Sequence, residues 1–348
     1  MVPIKFLRLL LAAFLLILAA TQCPGGTPDA VLSQLAHTNS FEVFRYDWRD
    51  AARNRNVPVT IYLPKAGPRV REPLPLIIFS HGLGGSRDGY DYLGKYWAAH
   101  GFVSVHPQHL GTDTGIWLDS LNGGPMAAMK RAVADVQNLV NRPLDASFAI
   151  TRMLELNRDT NSPFFGRINP ESIGMAGHSL GAFTTLAIAG QTFPPVGANP
   201  SFFGDPRVKA AIPMSASVPM DRGHLDETYG QIRIPCLHMT GTLDDSPLGE
   251  TMAGERRVPF DHSQHSDQFL VTFKDADHMV FAGLDSPQFS GPYERELQHW
   301  ICLSSTIFWN AYLRGDAGSR EWLAKDFQTR LGADGKVEVK LIDAHSKK

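Results

Sequence analysis

The pentapeptide Gly177-His178-Ser179-Leu180-Gly181 sets a serine between two glycines. Such a serine could attack a carbonyl carbon if a strand turned sharply into a helix there and presented the hydroxyl. Side chains at the flanking positions would obstruct the turn, so glycine is needed on both sides. With 31 glycines in 348 residues the pattern alone is weak evidence. Its setting strengthens it, because the apolar run IGMA (173–176) precedes it and the helix-compatible run AFTTLAIA (182–189) follows. A second glycine-rich segment, His81-Gly82-Leu83-Gly84-Gly85, directly follows the apolar run LPLIIFS (74–80). An attacked carbonyl becomes an oxyanion that needs fixed N–H donors, worth about 3–4 kcal/mol each. The backbone N–H groups of Leu180 and Leu83 are the expected pair.

Serine at neutral pH requires a general base, and the base requires an acid to orient it. Six histidines lie between Ser179 and the C-terminal tail. His278 is the expected base, since it closes a strand-like run in KDADHMVF. His238 falls inside a strand-like run and His299 inside a helix-like one, while His224, His262 and His265 sit in polar stretches. The spacing of His262 and His265 could suit a metal, but no further ligand cluster accompanies them, and none is expected there. The acid should lie between Ser179 and His278 at a strand end. Asp244 is chosen from Gly241-Thr242-Leu243-Asp244-Asp245, after the run IPCLHMT, and Asp245 reads as a turn residue or helix cap. Asp221 and Asp226 lack a preceding strand, and Asp275 and Asp277 are too near His278 along the chain.

Elements that could hold these residues alternate along the chain. Strands are expected at 41–48, 57–63, 74–80, 101–107, 173–179, 208–216, 234–241 and 268–276. Helices are expected near 90–100, 126–157 and 294–314, the second interrupted at Asn141 and Pro143. Beyond Pro143, the residues Ala146, Ala149, Ile150, Met153 and Leu154 form one apolar face. The run at 74–80 is apolar throughout, as in strands buried on both sides. This alternation predicts an α/β fold with a mainly parallel sheet covered by helices on both faces. A single domain is expected over 41–330, followed by a C-terminal tail at 331–348.

Hydrophobic residues make up 43% of the chain, enough for a sizeable core, and the net charge is −2. Neither a basic field nor a charged arm points to nucleic acid. Lys5 and Arg8 precede the uninterrupted apolar run 9–20. Twelve helical residues rise about 18 Å, short of a bilayer core of about 30 Å, so residues 1–22 read as a signal peptide rather than a membrane span. Residues 23–40 read as a polar leader, and the protein is expected to be secreted or periplasmic. Cys23 offers lipid anchoring as an alternative, though Ala20, Thr21 and Gln22 fit a lipobox poorly. Cys236 and Cys302 read as buried free thiols, with a disulfide permitted. Oligomeric state is left open.

Taken in order, HGLGGSRDGYDYLGKYWAAHGFVSVHPQH (81–109), RPLDASFAITRMLEL (142–156), GHSLGA (177–182), DPRVKAAIPMSAS (205–217), GTLDD (241–245), DADHMVF (275–281) and FWNAYLRGDAGSREWLA (308–324) resemble one group of enzymes. That group is the branch of α/β-hydrolases containing platelet-activating-factor acetylhydrolases and dienelactone-hydrolase-like esterases. The resemblance covers most of residues 57–325. It implies the α/β-hydrolase fold and a serine esterase with Ser179, Asp244 and His278 as triad, Leu83 and Leu180 as oxyanion donors, and no cofactor. Dienelactone hydrolases proper use a cysteine nucleophile, so the serine here speaks against that substrate. The expected activity is hydrolysis of carboxylic esters, with short acyl chains or small soluble esters as substrates. The same triad could serve amide hydrolysis or acyl transfer to an alcohol. A non-catalytic binding protein on this fold would normally lack a triad member or an elbow glycine, and none is missing. Trp117, Tyr90 and Phe202–Phe203 are candidate pocket walls, and each could equally be core packing. No long insertion resembling a lipase lid appears between 182 and 244.

Overall fold

Runs of aliphatic residues without polar interruption can pair only where both faces are covered, and they form the centre of the sheet. The computed structural model describes residues 40–67, 73–121, 123–194, 202–283 and 291–342. The expected signal peptide and Cys23 lie outside the described residues, as does nearly all of the polar leader. Nine strands form one sheet: β1 (Phe41–Asp50), β2 (Arg55–Pro64), β3 (Leu74–Ser80), β4 (Val103–Pro107), β5 (Ile168–His178), β6 (Val208–Met214), β7 (Cys236–Leu243), β8 (Gln268–Asp277) and β9 (Gly335–Lys340). Their order across the sheet is β1-β2-β4-β3-β5-β6-β7-β8-β9. Strands β4, β3, β5, β6, β7 and β8 run parallel, and antiparallel pairings close the sheet at both edges.

The main helices are α1 (Asp91–Ala99), α2 (Gly124–Ala134), α3 (Val136–Leu156), α4 (Leu180–Ala189) and α5 (Pro292–Leu313). Alternate residues of β3 serve opposite faces, as the two-residue period of a strand requires. Ile77 and Phe79 join a cluster with Leu93 and Trp97 of α1 and Ile301, Ile307 and Trp309 of α5. Leu76 and Ile78 pack with Ala146, Ala149, Ile150 and Met153 of α3 on the other side. The expected apolar face of α3 is therefore the one turned to the sheet.

Two expectations are corrected. The helical region does not break at Asn141 and Pro143. It breaks at Asp135, whose carboxylate accepts the Gln137 N–H at 2.9 Å, and α3 runs on through Pro143. An interior proline costs a helix about 3 kcal/mol. The buried stripe from Arg142 to Met153 holds the helix together across it. The second correction concerns the residues expected as a tail from 331. They include β9, which pairs antiparallel with β8 from Gln268↔Lys340 to Phe273↔Gly335. Its sequence GKVEVK alternates lysine and glutamate with valine, which reads as a polar tail but suits a charged edge strand. Among the described residues no helix is long and apolar enough to cross a membrane. Cys236 and Cys302 are buried free thiols, and burial pushes the Cys236 thiol up to about 12.

Candidate active site

Strand β5 ends at His178, and α4 begins at Leu180, which leaves Ser179 alone to make the turn. Its backbone sits at φ 58° and ψ −118°, a conformation that non-glycine residues rarely adopt. The two motif glycines make that turn possible by close approach. A Cβ on Gly181 would lie 1.9 Å from the Ser80 carbonyl oxygen, and one on Gly177 would lie 2.3 Å from the Gly181 oxygen. The elbow is thus wedged against the end of β3. Leu180 is the first residue of α4, so its N–H has no acceptor within the helix. Among the described residues the Leu83 N–H also has no acceptor, whereas Gly84 N–H donates to Thr112 O and Gly85 N–H to Gly82 O. Both leucines are half-buried, so two uncommitted donors flank the serine's neighbourhood.

Asp244 follows β7 and His278 follows β8, so the parallel strands deliver all these groups to one edge of the sheet. In open α/β sheets that carboxyl edge is where ligands bind. The structure brings the three expected residues together. His278 Nε2 lies 2.9 Å from Ser179 Oγ, and His278 Nδ1 lies 2.7 Å from Asp244 Oδ1. Asp244 is fully buried, and its second oxygen accepts the Thr240 hydroxyl at 2.8 Å. Asp245 is exposed, turned away, and accepts the Ala253 N–H at 2.8 Å. That is the capping role its sequence context suggests.

Sequence reasoning missed Arg256. Its guanidinium is buried beside the acid and donates to the carbonyls of Asp244 (3.0 Å), Ser215 (3.0 Å) and Ala216 (3.1 Å). Nη2 lies 3.5 Å from Asp244 Oδ1 and 3.3 Å from His278 Nδ1. It ties the acid loop to the end of β6, and burial pulls it below the ordinary arginine range. No local periodicity marks an arginine in such a loop.

His178, between the glycine and the serine, is also buried. Burial, then His278 and Arg256, hold its pKa well below the usual imidazole range, so it is neutral. The Tyr90 hydroxyl, pushed up to about 12 by burial, stays protonated and lies 2.8 Å from His178 Nδ1. Gly82 N–H donates to the same phenol oxygen at 3.3 Å. Tyr90 therefore joins the 81–85 loop to the elbow from within the core, which is the core-packing alternative rather than the pocket wall. Trp117 lies on that loop from the other side, with Nε1 donating to the Gly84 carbonyl at 3.0 Å and its ring packed over Gly84. Phe203 stacks edge-on with Phe193, which meets Phe183. Phe183 lines a cavity of about 340 Å³ beside Leu180, walled also by Val133, Leu139 and Leu248.

Two of the other histidines are held by structural partners. His238 lies 2.9 Å from Gln268 Oε1 in the core, and His262 lies 2.6 Å from Asp226. Among the described residues no group of three or more His, Cys, Asp or Glu could hold a metal ion.

A sheet in this order, with a strained serine between β5 and α4, defines the α/β-hydrolase fold. Comparison with known proteins narrows the class. A family model described as platelet-activating factor acetylhydrolase, isoform II, matches residues 58–115. Cutinase 2 of Thermobifida cellulosilytica is 26% identical over 185 residues, covering 53% of this chain and 52% of that protein. Cutinase cut1 of Thermobifida fusca is 26% identical over 185 residues, covering 53% of this chain and 43% of its own length. The chain thus spans about half the length of the curated relatives it matches. These matches agree with the α/β-hydrolase fold and are likenesses to platelet-activating-factor acetylhydrolases and cutinases.

Proposed function

We propose that the protein hydrolyses carboxylic esters by two-step acyl transfer, with Ser179 as nucleophile, His278 as base and Asp244 as its orienting acid. The observation that carries this reading is His278 held between Ser179 Oγ at 2.9 Å and Asp244 Oδ1 at 2.7 Å. His278 Nε2 takes the Ser179 proton as Oγ bonds to the ester carbon, and the carbonyl electrons move onto its oxygen. The N–H groups of Leu83 and Leu180 hold that oxyanion, aided by the positive end of α4. Collapse expels the alcohol, which leaves with the proton from His278. Water then gives a proton to His278 and attacks the acyl-enzyme, releasing the acid and restoring Ser179.

Small soluble esters are the substrates that the site supports best. The cavity beside Leu180, about 340 Å³, lies at the low end of the range of about 300–1,000 Å³ for small-molecule sites. The description acetylhydrolase in the matching family model also speaks for a small acyl group. Purified protein should hydrolyse p-nitrophenyl acetate and butyrate faster than emulsified long-chain triglyceride. Strong activation at a lipid–water interface would contradict this.

Residues 41–340 are proposed to act as one unit, and export is proposed from Lys5, Arg8 and the apolar run 9–20. Protein recovered from outside the cytoplasm of a native host should begin near residues 21–23. An intact Met1 on that protein would refute export by cleavage, and a lipid on Cys23 would turn it into anchoring.

A further inference from the structure

Ser80, His109 and Asp145 repeat the connectivity of the site in a sealed place. Ser80 Oγ lies 2.9 Å from His109 Nε2, and His109 Nδ1 lies 3.1 Å from Asp145 Oδ2. All three side chains are at 0% exposure, so no substrate can reach this serine. Proton positions follow from the surroundings. Burial and the Arg142 charge bring His109 down to about 4, so it is neutral. Burial opposes ionisation of Asp145, but hydrogen bonds from His109 and Arg55 hold its carboxyl below the usual range. His109 therefore donates Nδ1–H to Asp145 and accepts the Ser80 hydroxyl proton at Nε2. The Ser80 oxygen is left to accept from elsewhere.

It accepts from Arg142, which occupies the core-facing stripe of α3 and is itself at 0% exposure. Arg142 Nη2 donates to Ser80 Oγ at 3.0 Å and to the His81 carbonyl. Nη1 donates to Thr112 Oγ1 at 2.7 Å, and the Thr112 carbonyl accepts the Gly84 N–H at 2.8 Å. Nε donates to Thr184 Oγ1 at 2.9 Å, and that hydroxyl donates to the Leu180 carbonyl at 3.1 Å. One guanidinium thus grips the chain on both sides of Leu83 and, through one threonine, the residue after the nucleophile. Among the described residues no carboxylate lies within ion-pair distance of it. A buried charge without a direct counter-ion is costly to desolvate, even when it is hydrogen-bonded. Stability alone is therefore a poor account of why it is there.

We propose that Arg142 is a positioning residue for the oxyanion hole. It locks the loop carrying Leu83 to the turn carrying Leu180, and Ser80, His109 and Asp145 hold it in place. Its charge also favours an oxyanion forming at these N–H groups. The proposal rests on the reading of Ser179 as nucleophile and of Leu83 and Leu180 as donors.

The test compares wild type with Arg142→Lys, Arg142→Gln and Thr184→Val, at active-site concentrations fixed by fluorophosphonate titration. Positioning of the oxyanion acts on the transition state, so kcat should fall while KM stays within about twofold. We expect losses of about 10-fold for Arg142→Lys, less than the removal of one oxyanion donor costs, and about 100-fold for Arg142→Gln, at the lower end of that span. Thr184→Val should lose a few-fold in the same sense. Inhibition by phenylboronic acid, whose serine adduct is tetrahedral, should weaken by the same factors. A merely structural role would lower the yield of titratable enzyme and leave kcat per site and boronate affinity unchanged, and that result overturns the proposal. If the Arg142 variants do not fold, Thr184→Val decides by the same two readouts. A wild-type protein that fluorophosphonate does not label would instead remove the serine mechanism itself.

Discussion

Ser179→Ala is expected to lower ester turnover by about 10⁴-fold or more and to abolish labelling by a fluorophosphonate. The size of the loss follows from what remains. Without Oγ no acyl-enzyme can form, and His278 loses its partner at 2.9 Å. The N–H groups of Leu83 and Leu180 and the cavity beside them are untouched, so a residue of catalysis over water should persist. Folding should change little, because alanine can occupy the same strained backbone and the glycines that permit it are unaltered. Mass spectrometry of intact protein checks the labelling, with one adduct on wild type and none on the variant. A variant that keeps a tenth of wild-type turnover would end the case for a serine nucleophile.

The parts of this site readable from sequence are those where local pattern and backbone geometry coincide. LPLIIFS forms β3 over the residues expected, since a strand buried on both faces leaves a nearly continuous apolar run, with Pro75 tolerated at its start. Ser179 is legible because its turn demands two glycines between a strand and a helix. The groups that hold it are less visible. Arg142 stands four residues before Ala146 and so falls on the apolar stripe of α3, where a charge is out of place. That misfit is the one signal available, and the neighbouring Pro143, which reads as an interruption of the helix, hides it. Proline reads as a boundary because it removes a main-chain hydrogen bond, but packing of the stripe outweighs that loss here. Arg256 left no trace of this kind, since its carbonyl partners come from segments about 12 and 40 residues away. Strand β9 failed for a further reason. An edge strand needs charge on its open side, so it resembles the solvent-facing tail expected in its place.

The largest effect outside Ser179 should fall on one of two adjacent aspartates. Asp244→Asn is expected to lower turnover by about 10⁴-fold, while Asp245→Asn should keep near-normal turnover. Asp244 has one oxygen 2.7 Å from His278 Nδ1 and the other 2.8 Å from Thr240 Oγ1. As a carboxylate it can only accept, which fixes the proton on Nδ1 and leaves Nε2 free to take the proton of Ser179. An asparagine amide turned to donate would reverse that tautomer and place a proton on Nε2, where it opposes the serine. It would also remove the negative charge that steadies the imidazolium, leaving the Arg256 guanidinium 3.3 Å from His278 without the buried carboxylate beside it. Arg256 would keep its three carbonyl acceptors, so the variant should fold, and turnover per folded molecule is the quantity to compare. Asp245 is exposed, and its contact to Ala253 N–H is a loop cap worth about 1 kcal/mol of stability, which asparagine can largely keep. The two variants should therefore separate cleanly, one losing turnover and the other neither turnover nor fold. Loss of turnover in Asp245→Asn with near-normal Asp244→Asn would assign the acid to the wrong neighbour, and with it the direction in which His278 is oriented.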